Sequence, residues 1–204
     1  PTAWEETDGA GLSQGADKIS GVGTSMNVQW KSPTWGASYI AVAYAPKNDG
    51  TFTNDKTGSG TSKQNQEGYD VRLNLGTGGD GALGGANVFA GYSTTSQEAD
   101  QTSVATGSRS NQDIEEGVLG LIYTYGPVSV GAQATVEYLG EENSDTAVWG
   151  YSNISYGVAF NVNDNLAVSW GENTSKKGNH QSSYGSTKES VATSYQVAYT
   201  MGGA

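Results

Sequence analysis

The chain has no cysteine, only four prolines and one histidine, and 10 basic against 21 acidic residues. Without cysteine there can be no disulfide scaffold and no thiolate metal site. A net charge of −11 offers no basic patch to neutralise phosphates, which argues against nucleic acid as a partner. No apolar run approaches the roughly 20 residues that a membrane-spanning helix requires, so a helical membrane protein is excluded. No stretch of helical length carries a 3.6-residue period either. The opening PTAWEETDGAG is polar and lacks the apolar segment of a signal peptide. The expectation is therefore a protein that is not secreted, or a mature or partial chain. Nothing in the composition divides the 204 residues in two, and one domain is expected.

What the chain does have is glycine, 30 residues of it without a collagen period or heptad, and a period of two. The stretch 117–140, GVLGLIYTYGPVSVGAQATVEYLG, holds two alternating runs hinged at Gly126-Pro127. In the second run Val128, Val130, Ala132, Ala134, Val136 and Tyr138 share one face, while Ser129, Gly131, Gln133, Thr135 and Glu137 share the other. Runs of this kind, bounded by Gly, Pro, Asn and Asp, predict nine strands: 24–32, 37–45, 68–76, 86–95, 115–125, 128–139, 149–161, 165–173 and 189–200. The fold class expected is all-β.

Each predicted strand taken singly is an ordinary half-buried strand of a soluble sandwich or barrel. Two features of the set favour a transmembrane antiparallel up-and-down β-barrel. Comparatively short connections (SPTWG, GTGGDGALGG, GP, NVNDN) alternate with longer polar ones, as periplasmic turns alternate with extracellular loops. Twelve Tyr and five Trp against three Phe favour rings placed at membrane interfaces. The overall hydrophobic content of 35% does not count against this, because a spanning strand of about 9–11 residues needs an apolar side chain only at alternate positions.

At 17–47 the stretch DKISGVGTSMNVQWKSPTWGASYIAVAYAPK resembles the Gram-negative outer-membrane porins, in particular those of alphaproteobacteria. Ser32-Pro33-Thr34-Trp35-Gly36 looks like the S-P-x-[FW]-G turn of that family, and 37–44 like the alternating return strand rich in Ala and Tyr. The closing ATSYQVAYTMGGA is similar to a strand and periplasmic turn from the later part of such a barrel. The resemblance implies that 1–204 is a single barrel domain, an internal portion lacking both ends. It implies nine strands, the sixth to fourteenth of about sixteen, with 1–16 as the end of an inward-folded constriction loop. It further implies a general diffusion porin of the bacterial outer membrane, a homotrimer passing small hydrophilic solutes and ions.

The site of such a channel is electrostatic, a constriction where charges of both signs face water. Acidic candidates on the loop are Glu5, Glu6, Asp8 and Asp17; wall candidates are Lys18, Lys31, Asp70 and Arg72. Alternation turns Lys31, Asp70 and Arg72 inward, and an outward Arg72 would cost about 2–4 kcal/mol at the bilayer midplane. The acidic balance suggests a mild preference for cations. Enzymatic and metal signatures are thin. His180 has no local metal partner, GTGGDGALGG is followed by neither a helix nor G-K-[ST], and NDGTFTND lacks EF-hand spacing. No catalytic residue, cofactor or metal is expected. The competing expectations are a non-conducting surface barrel acting as adhesin or phage receptor, and a soluble β-sandwich binding protein.

Overall fold

The computed structural model describes residues 27–46, 64–78, 85–98, 109–110, 113–138, 141–142, 148–179 and 188–200. Within them the chain forms eleven strands: β1 Val28–Lys31, β2 Tyr39–Ala45, β3 Gln64–Gly76, β4 Ala86–Glu98, β5 Arg109–Ser110, β6 Ile114–Tyr125, β7 Val128–Tyr138, β8 Glu141–Glu142, β9 Val148–Asn163, β10 Leu166–Asn179 and β11 Lys188–Tyr199. Nine of these make one antiparallel up-and-down sheet in the order β1-β2-β3-β4-β6-β7-β9-β10-β11, and they are the nine strands that the period of two predicts. β5 and β8, which the alternation does not predict, pair only with each other; two residues are too short to carry a period. β3 and β10 run longer than expected, to 13 and 14 residues, because polar residues continue the ladder beyond the apolar alternation.

The turns explain the pairing. Gly126 adopts φ +56 in a two-residue hairpin between Tyr125 and Val128. Pro127 after it keeps a negative φ, and positive followed by negative is the type II′ combination, whose twist suits adjoining strands. The first hairpin closes at Trp35 and Ser38, which exchange backbone hydrogen bonds of 3.0 and 3.2 Å around Gly36 (φ +65) and Ala37. In the last, Asn163 Oδ1 accepts from the Asn165 backbone N–H at 2.9 Å, an Asx-type turn. The strict alternation of connection lengths is softened. Residues 46–63 and 99–113 are long, but 77–85 is as long as 139–147.

The sheet is sheared. One row of paired residues runs Trp30, Val42, Val71, Tyr92, Gly117, Val136, Ser152, Lys176, Glu189. It crosses β1 six residues before Gly36, β6 nine before Gly126 and β9 twelve before Asp164. Six residues of slip over six strand steps is about one residue per step. With about 3.3 Å rise and 4.8 Å spacing, that inclines the strands by about 35° to the normal of a line through the turns.

The sheet has no conventional core. Among the described residues only Ala45 and Ile114 are buried apolar side chains. The face carrying Trp30, Val71, Leu121, Val130, Val158 and Val197 is exposed, and no second layer covers it among the described residues. Burial occurs on the opposite, polar face instead: Asn74, Ser93, Glu116, Thr135, Asn153 and Asn173 are all under 9% exposed. Among the described residues no helix is long and apolar enough to cross a membrane, which says nothing about crossing by strands.

Candidate functional site

The polar face gathers the chemistry. Lys31, Ala41, Arg72 and Gly91 form one paired row across β1 to β4, so Lys31 and Arg72 stand on the same face with a methyl group between them. Tyr39 completes the cluster. Its ring centroid lies 3.9 Å from Lys31 Nζ and 5.6 Å from the Arg72 guanidinium carbon. Such cation–π contacts at exposed sites are worth about 0.5–1 kcal/mol each and hold the two charges near one ring. The hairpin beneath is tied to the sheet by Asn74 Nδ2 donating to the Ala37 carbonyl at 3.0 Å and by the Gly76 N–H donating to Ser38 Oγ at 3.1 Å.

Two residues along, towards the ends away from the tight turns, the paired row reads Gln29, Ala43, Asp70, Ser93, Glu116, Glu137, Tyr151, Lys177. Asp70, Glu116 and Glu137 therefore make an acidic band on β3, β6 and β7, beside the basic cluster on β1 to β3. Glu116 is only 5% exposed. On the turn side of the band, the polar residues of β7 to β10 hydrogen-bond in part among themselves. Asn153 Nδ2 donates to Thr135 Oγ1 at 2.9 Å, while the Oδ1 atoms of Asn153 and Asn173 are buried without a protein hydrogen-bond partner.

Of the expected site residues, Lys31, Asp70 and Arg72 are brought together on one face of β1 and β3. Glu5, Glu6, Asp8, Asp17 and Lys18, and with them the expected loop over 1–16, lie outside the described residues, as does His180. Sequence reasoning missed Tyr39, Glu116, Glu137 and Lys177. Parity along each strand assigns them to this face, but only the register shows which of them are neighbours. Among the described residues no group of three or more His, Cys, Asp or Glu side chains could hold a metal ion.

The apolar face carries polar groups too, several of them paired. Tyr92 donates its hydroxyl to Glu115 Oε1 at 2.8 Å; Glu172 accepts from Tyr156 at 2.5 Å and from Thr193 at 3.4 Å. Lys176 and Glu189 form an exposed ion pair of 3.4 Å. Glu115, Lys176 and Glu189 stand towards the strand ends remote from the two-residue turns, while Glu172 stands further in, in the row of Leu121 and Tyr156, with its charge held by hydrogen bonds. Aromatic rings also gather there, with Tyr44 and Tyr69 at a centroid distance of 4.9 Å. Tyr156 and Trp170, 5.8 Å apart, stand further in. Neither a protein-family model nor a curated protein matches this sequence.

Proposed function

We propose that this sheet is a length of the wall of a transmembrane β-barrel in a bacterial outer membrane, a general diffusion porin whose polar face lines water. The single observation that carries this reading is the inverted amphipathicity: apolar side chains exposed on one face, polar ones buried on the other. A soluble protein rarely leaves a contiguous apolar patch of more than a few hundred Å² to water, whereas lipid covers such a face without a second layer. The shear supports it, since the inclination of about 35° falls within the tilt of spanning barrels. β1 and β11, with seven strands between them, run in the same direction. An all-antiparallel barrel then closes through an odd number of further strands. The resemblance of Ser32-Pro33-Thr34-Trp35-Gly36 and 37–44 to porins supports a homotrimer of about sixteen strands each. The net charge of −11 and the acidic band at Asp70, Glu116 and Glu137 support a mild cation preference.

The test is planar-bilayer conductance of the full-length native protein, with the reversal potential read in a salt gradient. Steps in groups of three with a cation-leaning potential are expected. Folded, inserted protein that stays silent would overturn the open pore in favour of a closed barrel acting as a surface receptor. Protein that remains monodisperse in water without detergent would overturn the membrane reading itself.

A further inference from the structure

A depression of about 440 Å³ lies across β4, β6, β7, β9, β10 and β11. Twelve of its eighteen lining residues belong to the polar face, so it opens on that side of the sheet. Its floor is a paired row of glycines, Gly131, Gly157 and Gly171, running between Ile122 and Ser194. Without Cβ atoms there, backbone is the floor and the space above it stays open. Phe89 forms one wall. A Cβ placed on Gly120 would fall 2.1 Å from Phe89 Cζ, so the ring lies across Gly120 and is held against the sheet. Along the row that leads away from this ring stand uncharged hydrogen-bonding groups, the amide of Gln133, paired with Gly120, and then the hydroxyl of Ser155; Ser129, Ser169 and Gln196 line the far part of the depression. Asn173, cross-strand from Ser155 and 3% exposed, has a carbonyl oxygen that no protein donor satisfies.

None of the eighteen lining residues is charged, in a chain of net charge −11; the next row on that face holds Lys31 and Arg72, and the acidic row of Asp70, Glu116 and Glu137 follows it. The volume is that of a small-ligand site. One aromatic face surrounded by neutral donors and acceptors is the complement of a pyranose, which offers axial C–H groups on one side and hydroxyls at its edge. Among the lining residues an ion would find no counter-charge. We infer that the groove is a docking site for a neutral monosaccharide on the water-facing wall, with Phe89 as stacking platform and Gln133 and Ser155 as hydroxyl partners. The inference deepens the channel reading, because it names the solute class that the polar face would hold on passage.

Two measurements separate the two ideas. Saturation-transfer NMR of glucose with full-length protein in detergent reads binding whether or not the protein conducts. Transfer to the sugar C–H protons is expected, weakened roughly fivefold in apparent affinity by Phe89→Leu, an effect the size of one aromatic contact. Gln133→Ala is expected to weaken it too, and both variants are to keep the far-UV spectrum of the parent. Absence of transfer, or equal transfer with Phe89→Leu, would overturn the inference, as would glucuronate binding as well as glucose. In the bilayer, glucose is expected to reduce ion current saturably in the parent and less in Phe89→Leu. Transfer without conductance would keep the groove and remove the channel; conductance without transfer would do the reverse.

Discussion

At single residues the closeness of neighbouring strands sets what is tolerated. A Cβ on Gly150 would meet the Glu137 carbonyl oxygen at 2.1 Å, a backbone atom that cannot swing aside. At Gly131 the nearest atom would be 3.7 Å away, an ordinary contact. Gly150→Ala is therefore expected to part β7 from β9 and to destabilise the fold by about 1–3 kcal/mol, as overpacking does. Gly131→Ala is expected to be close to neutral. Urea titration of the folded protein in detergent, followed by circular dichroism, checks both; equal midpoints would show that the register between β7 and β9 is wrong. The identities of these glycines are visible in the sequence, but not which of them faces a carbonyl, because that depends on the register with a partner strand about a dozen residues away.

At the level of the element, a strand presents its residues alternately to two environments, and a pair of neighbours can tell which. Leu121 and Ile122 are adjacent on β6, point to opposite faces and are nearly equally exposed, at 44% and 48%. On a surface bathed in water from both sides, arginine would be accepted alike at either. If the Leu121 face meets lipid, Leu121→Arg costs about 2–4 kcal/mol while Ile122→Arg costs little. Folding titrations in lipid vesicles check this, and equal costs would remove the membrane from the reading. The hairpins allow a similar comparison. Gly126→Ala forces an L side chain into φ +56 and is expected to cost about 1–2 kcal/mol. The same detergent titration reads it, with Ala134→Gly on the neighbouring strand as a control for handling. All nine long strands are legible from alternation, since side-chain period is a local property. Their lengths are less so: at β3 and β10 the ladder outlasts the apolar pattern, and backbone pairing does not require hydrophobic side chains.

For the whole molecule, if the sheet is the pore wall proposed above, the distribution of charge across the polar face governs its ion selectivity. Lys31 and Arg72 flank Tyr39 at one side, and Asp70, Glu116 and Glu137 lie in the adjoining row. Lys31→Gln with Arg72→Gln removes two positive charges and is expected to move the reversal potential further towards the cation potential. Glu137→Gln moves it the other way. Changes confined to conductance, with the potential unmoved at low salt, would place these side chains away from the ion path, since unscreened wall charges act on permeating ions within about a Debye length. High salt is expected to shrink both shifts.

Composition and alternation by themselves determine a great deal here: an all-β chain, nine strands, an apolar and a polar face on each, and Lys31, Asp70 and Arg72 on the polar side. These follow from the fixed two-residue period of an extended backbone, which needs no knowledge of what the strand pairs with. The tertiary structure alone decides the register, and with it the Lys31–Tyr39–Arg72 cluster, the acidic band, the glycine floor beside Phe89 and the slip of about one residue per strand. Each of these is a relation between strands, carried by backbone hydrogen bonds whose partners no local pattern encodes. The same relations reveal that burial falls on the polar face, which turns an ambiguous amphipathic strand into one wall of a sheet whose apolar side must be covered by something other than the described chain.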